Sequence, residues 1–121
     1  MAILLNSNSP SFKLQKHSKL LDAKAYKFVF SKANKVGDAF FTILYRENKA
    51  QHHPRLGVIV AKKNSKKAVD RNRIKRLIRE SFRLYPNLPK YDIVVLSKRP
   101  TGTQTNQQLY TSLSKLWQKI T

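Results

Sequence analysis

No cysteine occurs anywhere in the 121 residues. That excludes a disulfide framework, a thiolate metal site and a cysteine nucleophile, and it fits a cytosolic chain. Acidic residues number only six, against 25 Lys and Arg. They are Asp22, Asp38, Glu47, Asp70, Glu80 and Asp92. No two of them share a predicted face closely enough for a two-metal or general acid–base site. Three glycines are too few for a Gly-rich phosphate loop. His17 is isolated, and His52 and His53 are adjacent in a polar loop, so their side chains diverge. No apolar run nears the ~18 residues that mark a membrane span. Met1-Ala2-Ile3-Leu4-Leu5 lacks the basic n-region of a signal peptide. The expectation is a soluble, cytoplasmic protein with no tightly bound metal.

What is abundant is positive charge. The formal net charge is +19 and the pI about 10.6. A folded chain so charged repels itself, which calls for a polyanionic partner. Nucleic acid, an anionic membrane and an acidic protein all qualify. A hydrophobic content of 40% puts an ordered core beside the charge, which favours nucleic acid. The length suits one domain. Residues 1–11, polar after the first few, are expected to form a flexible tail, and 12–121 a single nucleic-acid-binding domain.

Asp22 stands where an N-cap belongs, and Tyr26, Val29 and Phe30 recur at i, i+3 and i+4. This predicts a short helix to about Ala33. Val36-Gly37-Asp38 reads as a turn. Ala39 to Tyr45 reads as a strand, with Phe40, Thr42 and Leu44 on one face and Phe41, Ile43 and Tyr45 on the other. Arg55 to Ala61 is a second strand, in which Gly57 marks a close approach or a bulge. A helix is predicted from Ala68 to Tyr85, stopped by Pro86 and Pro89. Tyr91 to Ser97 is a near-continuous apolar strand of the kind found centrally in a sheet. Asn106 to Ile120 closes the chain as an amphipathic helix burying Leu109, Leu113, Leu116, Trp117 and Ile120. The strand–helix–strand order suggests a βαβ unit with helices packed on one sheet.

The densest charge lies at Lys62 to Arg83, where ten Lys and Arg meet two acids in 22 positions. On a helical projection Ile74, Leu77, Ile78, Ser81, Leu84 and Tyr85 share one side. Asn72, Arg73, Lys75, Arg76, Arg79 and Arg83 share the other, with Glu80 among them and Arg71 near the boundary. Free N–H groups and the helix dipole add an anion site near Lys67 to Arg71. A merely solvated amphipathic helix is the plain alternative, but such faces normally mix signs. Two acids against ten bases favour a polyanion.

These residues carry a resemblance. Arg55 to Lys63, followed by Lys67 to Arg83 with its Arg71-Asn72-Arg73-Ile74-Lys75-Arg76 core, resembles the signature of the bacterial ribonuclease P protein family. The resemblance extends to Leu21–Phe30, to Asp92–Val95 and to the last helix, with Tyr26 where the family usually has Phe. It implies an α+β fold: a small α/β sandwich, mostly antiparallel sheet with packed helices, ribosomal-protein-like. It also implies a left-handed βαβ crossover, where general rules give a right-handed one. It implies binding to a catalytic RNA and to precursor tRNA, and help in removing the 5′ leader. The hydrolysis would then belong to the RNA and its Mg²⁺, with no catalytic residue in this chain. Lys62, Lys63, Lys67, Arg71, Asn72, Arg73, Lys75, Arg76 and Arg79 would face RNA. Tyr26, Phe30, Thr42 and Leu44 would form the leader cleft, with the basic stretch and the Asp22–Phe30 helix as its two walls. From the residues alone, Tyr26 and Phe30 fit plain core packing equally well. No membrane contact and no obligate protein partner are expected. A general RNA-binding or ribosome-assembly protein and a nuclease acting alone remain the competing readings.

The charge itself makes a prediction. RNA affinity should fall linearly with salt on a log–log plot, by nearly one unit of slope per phosphate neutralised on duplex-like RNA. A filter-binding titration from low to physiological salt checks it, and a flat response would reject the electrostatic account.

Overall fold

A computed structural model describes residues 18–20, 22–63, 65–98 and 104–121; the tail expected over 1–11 lies outside them. The chain runs α1 (Ala23–Ser31), β1 (Asn34–Gly37), β2 (Phe41–Glu47), β3 (Arg55–Ile59), α2 (Ala68–Leu84), β4 (Tyr91–Ser97), α3 (Asn106–Ile120). The four strands form one sheet in the order β1-β2-β4-β3. β1 with β2 and β2 with β4 are antiparallel, and β3 with β4 is parallel. A parallel pair cannot be joined by a tight turn, and α2 supplies the crossover.

Strand alternation sorts the core into two layers. Ile93 and Val95 of β4, with Phe41 and Ile43 of β2 and Leu56 of β3, pack against Ile74, Ile78 and Phe82 of α2 and Leu109, Leu113, Leu116 and Trp117 of α3. On the other face Val94 packs against Val29 of α1 and Leu20, with Leu44 and Leu96 beside them. So β4 is covered on both sides, as its apolar run predicts, and α1 sits opposite α2 and α3. Trp117 anchors the larger layer: its indole N–H donates to Ser81 Oγ at 2.8 Å and its ring meets Phe82 edge-on at 6.0 Å. The Arg73–Asn106 and Ser81–Trp117 contacts set α2 and α3 side by side in the same sense.

One polar row crosses the α1 face, Arg46–Asp92–Arg55. Asp92 is fully buried. Its carboxylate accepts from Arg55 Nε at 2.8 Å and Nη2 at 2.7 Å, and from Asn48 Nδ2 at 2.9 Å. These bonds hold the Arg55 guanidinium above its usual pKa, against the opposing effect of burial. Arg46 turns the other way. It donates to the Phe28 carbonyl at 2.7 Å and to Ser31 Oγ at 2.9 Å, near the C-terminus of α1 where carbonyls lack partners.

Several expectations shift. Asn34–Gly37 forms an edge strand where a turn was expected to begin at Val36. The turn comes later, where Asp38 Oδ1 accepts from the backbone N–H of Phe40 and Phe41. Burial alone would raise the Asp38 pKa. Bonds from Ser112 and from those two N–H groups, with Lys98 nearby, outweigh it and hold the carboxyl below its ordinary range. The strand therefore starts at Phe41, not Ala39. Phe40, no longer bound by strand alternation, packs on the α2–α3 layer rather than beside Thr42 and Leu44. The expected buried Leu84 is 53% exposed, because α3 draws the buried arc toward Phe82. Helix α1 ends at Ser31 rather than Ala33, β3 at Ile59 rather than Ala61, and α2 at Leu84 rather than Tyr85.

Removing the guanidinium from the buried pair leaves a carboxylate with neither water nor counter-charge. Arg55→Ala should cost about 3–5 kcal/mol of stability, read from the midpoint of urea unfolding. A loss of less than about 1 kcal/mol, the value of a surface pair, would mean that Asp92 is not isolated from water.

Candidate RNA-binding surface

Helix α1 presents its aromatics because it is fixed at both ends. Asp22 caps the start, its Oδ1 accepting the Ala25 N–H at 2.9 Å, and Arg46 ties down the other end. Val29, fully buried, points into the sheet. Tyr26 and Phe30 lie on one flank of it and Phe28 on the other. The Phe28 flank is closed by the Arg46 guanidinium, 3.8 Å over its ring. The opposite flank is open. Phe30 is 48% exposed and leans on Tyr26, ring centroids 6.2 Å apart. Thr42 and Leu44 lie half-buried on the same sheet face, next to Leu96 and Val94 in register. The four residues expected to form a cleft thus share one side of the sheet.

Gly57 makes room for this arrangement. A Cβ there would sit 2.6 Å from Tyr26 Oη and 2.7 Å from its Cζ and Cε1. The glycine marks a close approach, one of the two alternatives its place in the strand offered.

The basic stretch lies elsewhere. Lys62 and Lys63 are exposed after β3, and Lys67 is the exposed N-cap of α2, with no side-chain cap bond. Arg71 is engaged locally: its Nη1 donates to the Lys66 carbonyl at 2.7 Å and the Ser65 carbonyl at 3.1 Å. It braces the loop entering α2. Arg73 donates to Asn106 Oδ1 at 2.5 Å and stands 4.0 Å from the Asp70 carboxylate. Asn72 and Arg76 are exposed, and Lys75 and Arg79 half-buried. Since α2 and α1 pack on opposite faces of the sheet, they are not two walls of one cleft. That expectation is corrected: among the described residues, α1 and the sheet surface frame the aromatic site. The sequence reading also missed Asn106, a polar residue at the head of an apolar helix that gave no sign of joining the cationic face.

The acids are dispersed or occupied. Asp92 is held by Arg55 and Asn48, and Asp38 by its own turn and Ser112. Among the described residues no three of His, Cys, Asp and Glu come together where a metal ion could be held. No helix there is long and apolar enough to cross a membrane.

A family profile described as Ribonuclease P matches residues 14–121. The chain belongs to the ribonuclease P protein family. It is 44% identical over 110 residues to the ribonuclease P protein component of Legionella pneumophila strain Lens, covering 91% of this chain and 95% of that one. Among solved structures, the Staphylococcus aureus RNase P protein superposes with a TM-score of 0.79 at 30% identity, covering 84% of this chain and 94% of that one. The Thermotoga maritima RNase P protein, solved in complex with 1-(4-fluorophenyl)-2-thiourea, gives a TM-score of 0.73 at 26% identity, with 81% and 95% covered. The α+β architecture is thus the family's, and the match takes in both the α1 aromatics and the α2 cations.

The Gly57–Tyr26 contact yields a double-mutant test. Gly57→Ala should cost about 1–3 kcal/mol by overpacking and displace the Tyr26 ring. In a Tyr26→Ala background the same change should cost nothing further. Urea unfolding of the four proteins decides it, and an equal cost in both backgrounds would show that the ring does not lie on Gly57.

Proposed function

We propose that this chain binds the catalytic RNA of ribonuclease P and the 5′ leader of precursor tRNA, and so assists endonucleolytic removal of the leader. The observation that carries this reading is the open aromatic flank of α1, exposed Phe30 beside Tyr26, on the sheet face that also carries Thr42 and Leu44. Single strands bind through stacking on aromatic rings with cations along the backbone, which tolerates any base order. A leader of variable sequence needs that tolerance. The cations of α2, which packs on the opposite face, and of its entry loop serve the larger RNA. Lys62, Lys63, Lys67, Arg73, Lys75, Arg76 and Arg79 reduce the repulsion between two polyanions brought together. Asn72 adds an uncharged contact, and Arg71 supports the grip by holding the loop while turning charge outward.

Bond cleavage in this reading belongs to the RNA, which uses Mg²⁺. The carboxylates of this chain are spent on the fold or dispersed, which supports a positional role for the protein. It acts in the cytoplasm, without a membrane or an obligate protein partner.

Reconstitution tests this. The chain should stimulate cleavage of precursor tRNA by bacterial ribonuclease P RNA at low Mg²⁺, and no stimulation would reject the reading. Arg73→Ala should weaken binding of that RNA or of the precursor by about 1–3 kcal/mol, as for a charge-assisted hydrogen bond. Unchanged affinity for both at fixed salt would remove Arg73 from the interface.

A further inference from the structure

Along α2, Val69, Asn72, Arg73, Arg76, Leu77 and Glu80 form one stripe at i, i+3, i+4, i+7, i+8 and i+11. Together with Asn106 at the head of α3 they line a groove of about 530 Å³. A face that only gripped phosphates would need cations alone, and this one holds more. Val69 is 70% exposed, a β-branched apolar side chain in the first turn of a cationic helix. Leu77 adds a second apolar surface further along. The side-chain amides of Asn72 and Asn106 open onto the same groove, from two different helices. Arg73 reaches across to Asn106 Oδ1. The head of α3 is held rigid by a capping box, in which Thr105 Oγ1 and Gln108 satisfy one another's backbone N–H groups.

We propose that this groove receives one unpaired nucleotide of the bound RNA. Its base lies on Val69, its edge meets the Asn72 and Asn106 amides, and its phosphate meets Arg73 and Arg76. The inference rests on the reading of α2 as an RNA grip and sharpens what that grip recognises. A nucleotide matches each part of the surface. The flat of a base is apolar. Its edge carries donors and acceptors side by side, as a primary amide does. A phosphate takes paired N–H groups from a guanidinium. Glu80 fixes the direction, since a carboxylate repels phosphate. Lying at the far end of the stripe from Val69, it keeps the phosphate on Arg73 and Arg76 and the base toward Val69, Asn72 and Asn106. An acidic peptide would use the guanidinium groups but leave the amides idle and face Glu80 unfavourably.

The experiment titrates the full chain and its variants against full-length ribonuclease P RNA over a range of salt. Val69→Ser and Asn106→Ala should each weaken binding about fivefold with the salt slope unchanged, because neither contact releases a counterion. Arg76→Ala should lower the slope by about one. Chemical probing with dimethyl sulfate and carbodiimide, which together report all four bases, should show one unpaired base protected by the wild-type protein and released by Val69→Ser. If Arg76→Ala lowers the slope while Val69→Ser and Asn106→Ala bind like wild type, the face grips phosphates only and the nucleotide proposal is overturned. If Arg76→Ala also binds like wild type with an unchanged slope, the RNA-grip reading of α2 fails with it.

Discussion

Strand β4 is fully buried on both faces from Asp92 to Val95, and the rest of the chain is arranged by that constraint. Ile93 and Val95 must be covered on one side and Val94 on the other. One side is met by two long helices, α2 and α3. On the other, among the described residues, stand the nine residues of α1 with Leu20 beside them, which leave part of the sheet uncovered. The shortfall leaves Thr42, Leu44 and Leu96 half-buried and Phe30 open. The candidate leader site is thus the uncovered remainder of a core.

The same strand carries the one fully buried carboxylate. Asp92 would be a liability among apolar neighbours, and its bidentate partner Arg55 with Asn48 removes the liability. The interaction joins β3 to the loop after β2 across β4. In a chain of net charge +19, the acids are too scarce to serve as general surface partners. Asp92 and Asp38 are placed where geometry needs an anion, in the sheet and in the β1–β2 turn. Much of the cationic excess is left on α2 and its entry loop, where the protein itself supplies little counter-charge.

How much of this could be read in the sequence depended on the kind of signal. The Tyr91–Ser97 strand and the Asn106–Ile120 helix have strong periodicity, and both lie where their patterns put them. The α1 cap was legible from Asp22, and the close approach at Gly57 from a glycine inside an apolar strand. The edge strand Asn34–Gly37 was missed because its burial is slight and it has no apolar alternation to read. Phe40 was assigned to the wrong layer because the Asp38 turn uses up the residue before the strand. The relation between cleft and basic helix needed the tertiary arrangement. One-dimensional order put both in the site, while the parallel β3–β4 pairing sends α2 to the far side. Asn106 was invisible for the same reason, being 33 residues from Arg73.

The strand register has a consequence for how the molecule comes together. Of the paired strands, only β1 and β2 are near neighbours in sequence. β4 pairs with β2 across Phe41↔Ser97 and with β3 across Arg55↔Asp92, so it closes two long loops by joining both. Such non-local closure is slow, and its entropy is met only when both pairings form. Each helical layer then lacks a stable platform until β4 is in place. The aromatic face and the cationic face are therefore born in one cooperative event and lost in one. A partly folded molecule holding RNA by one face alone has no sheet to stand on.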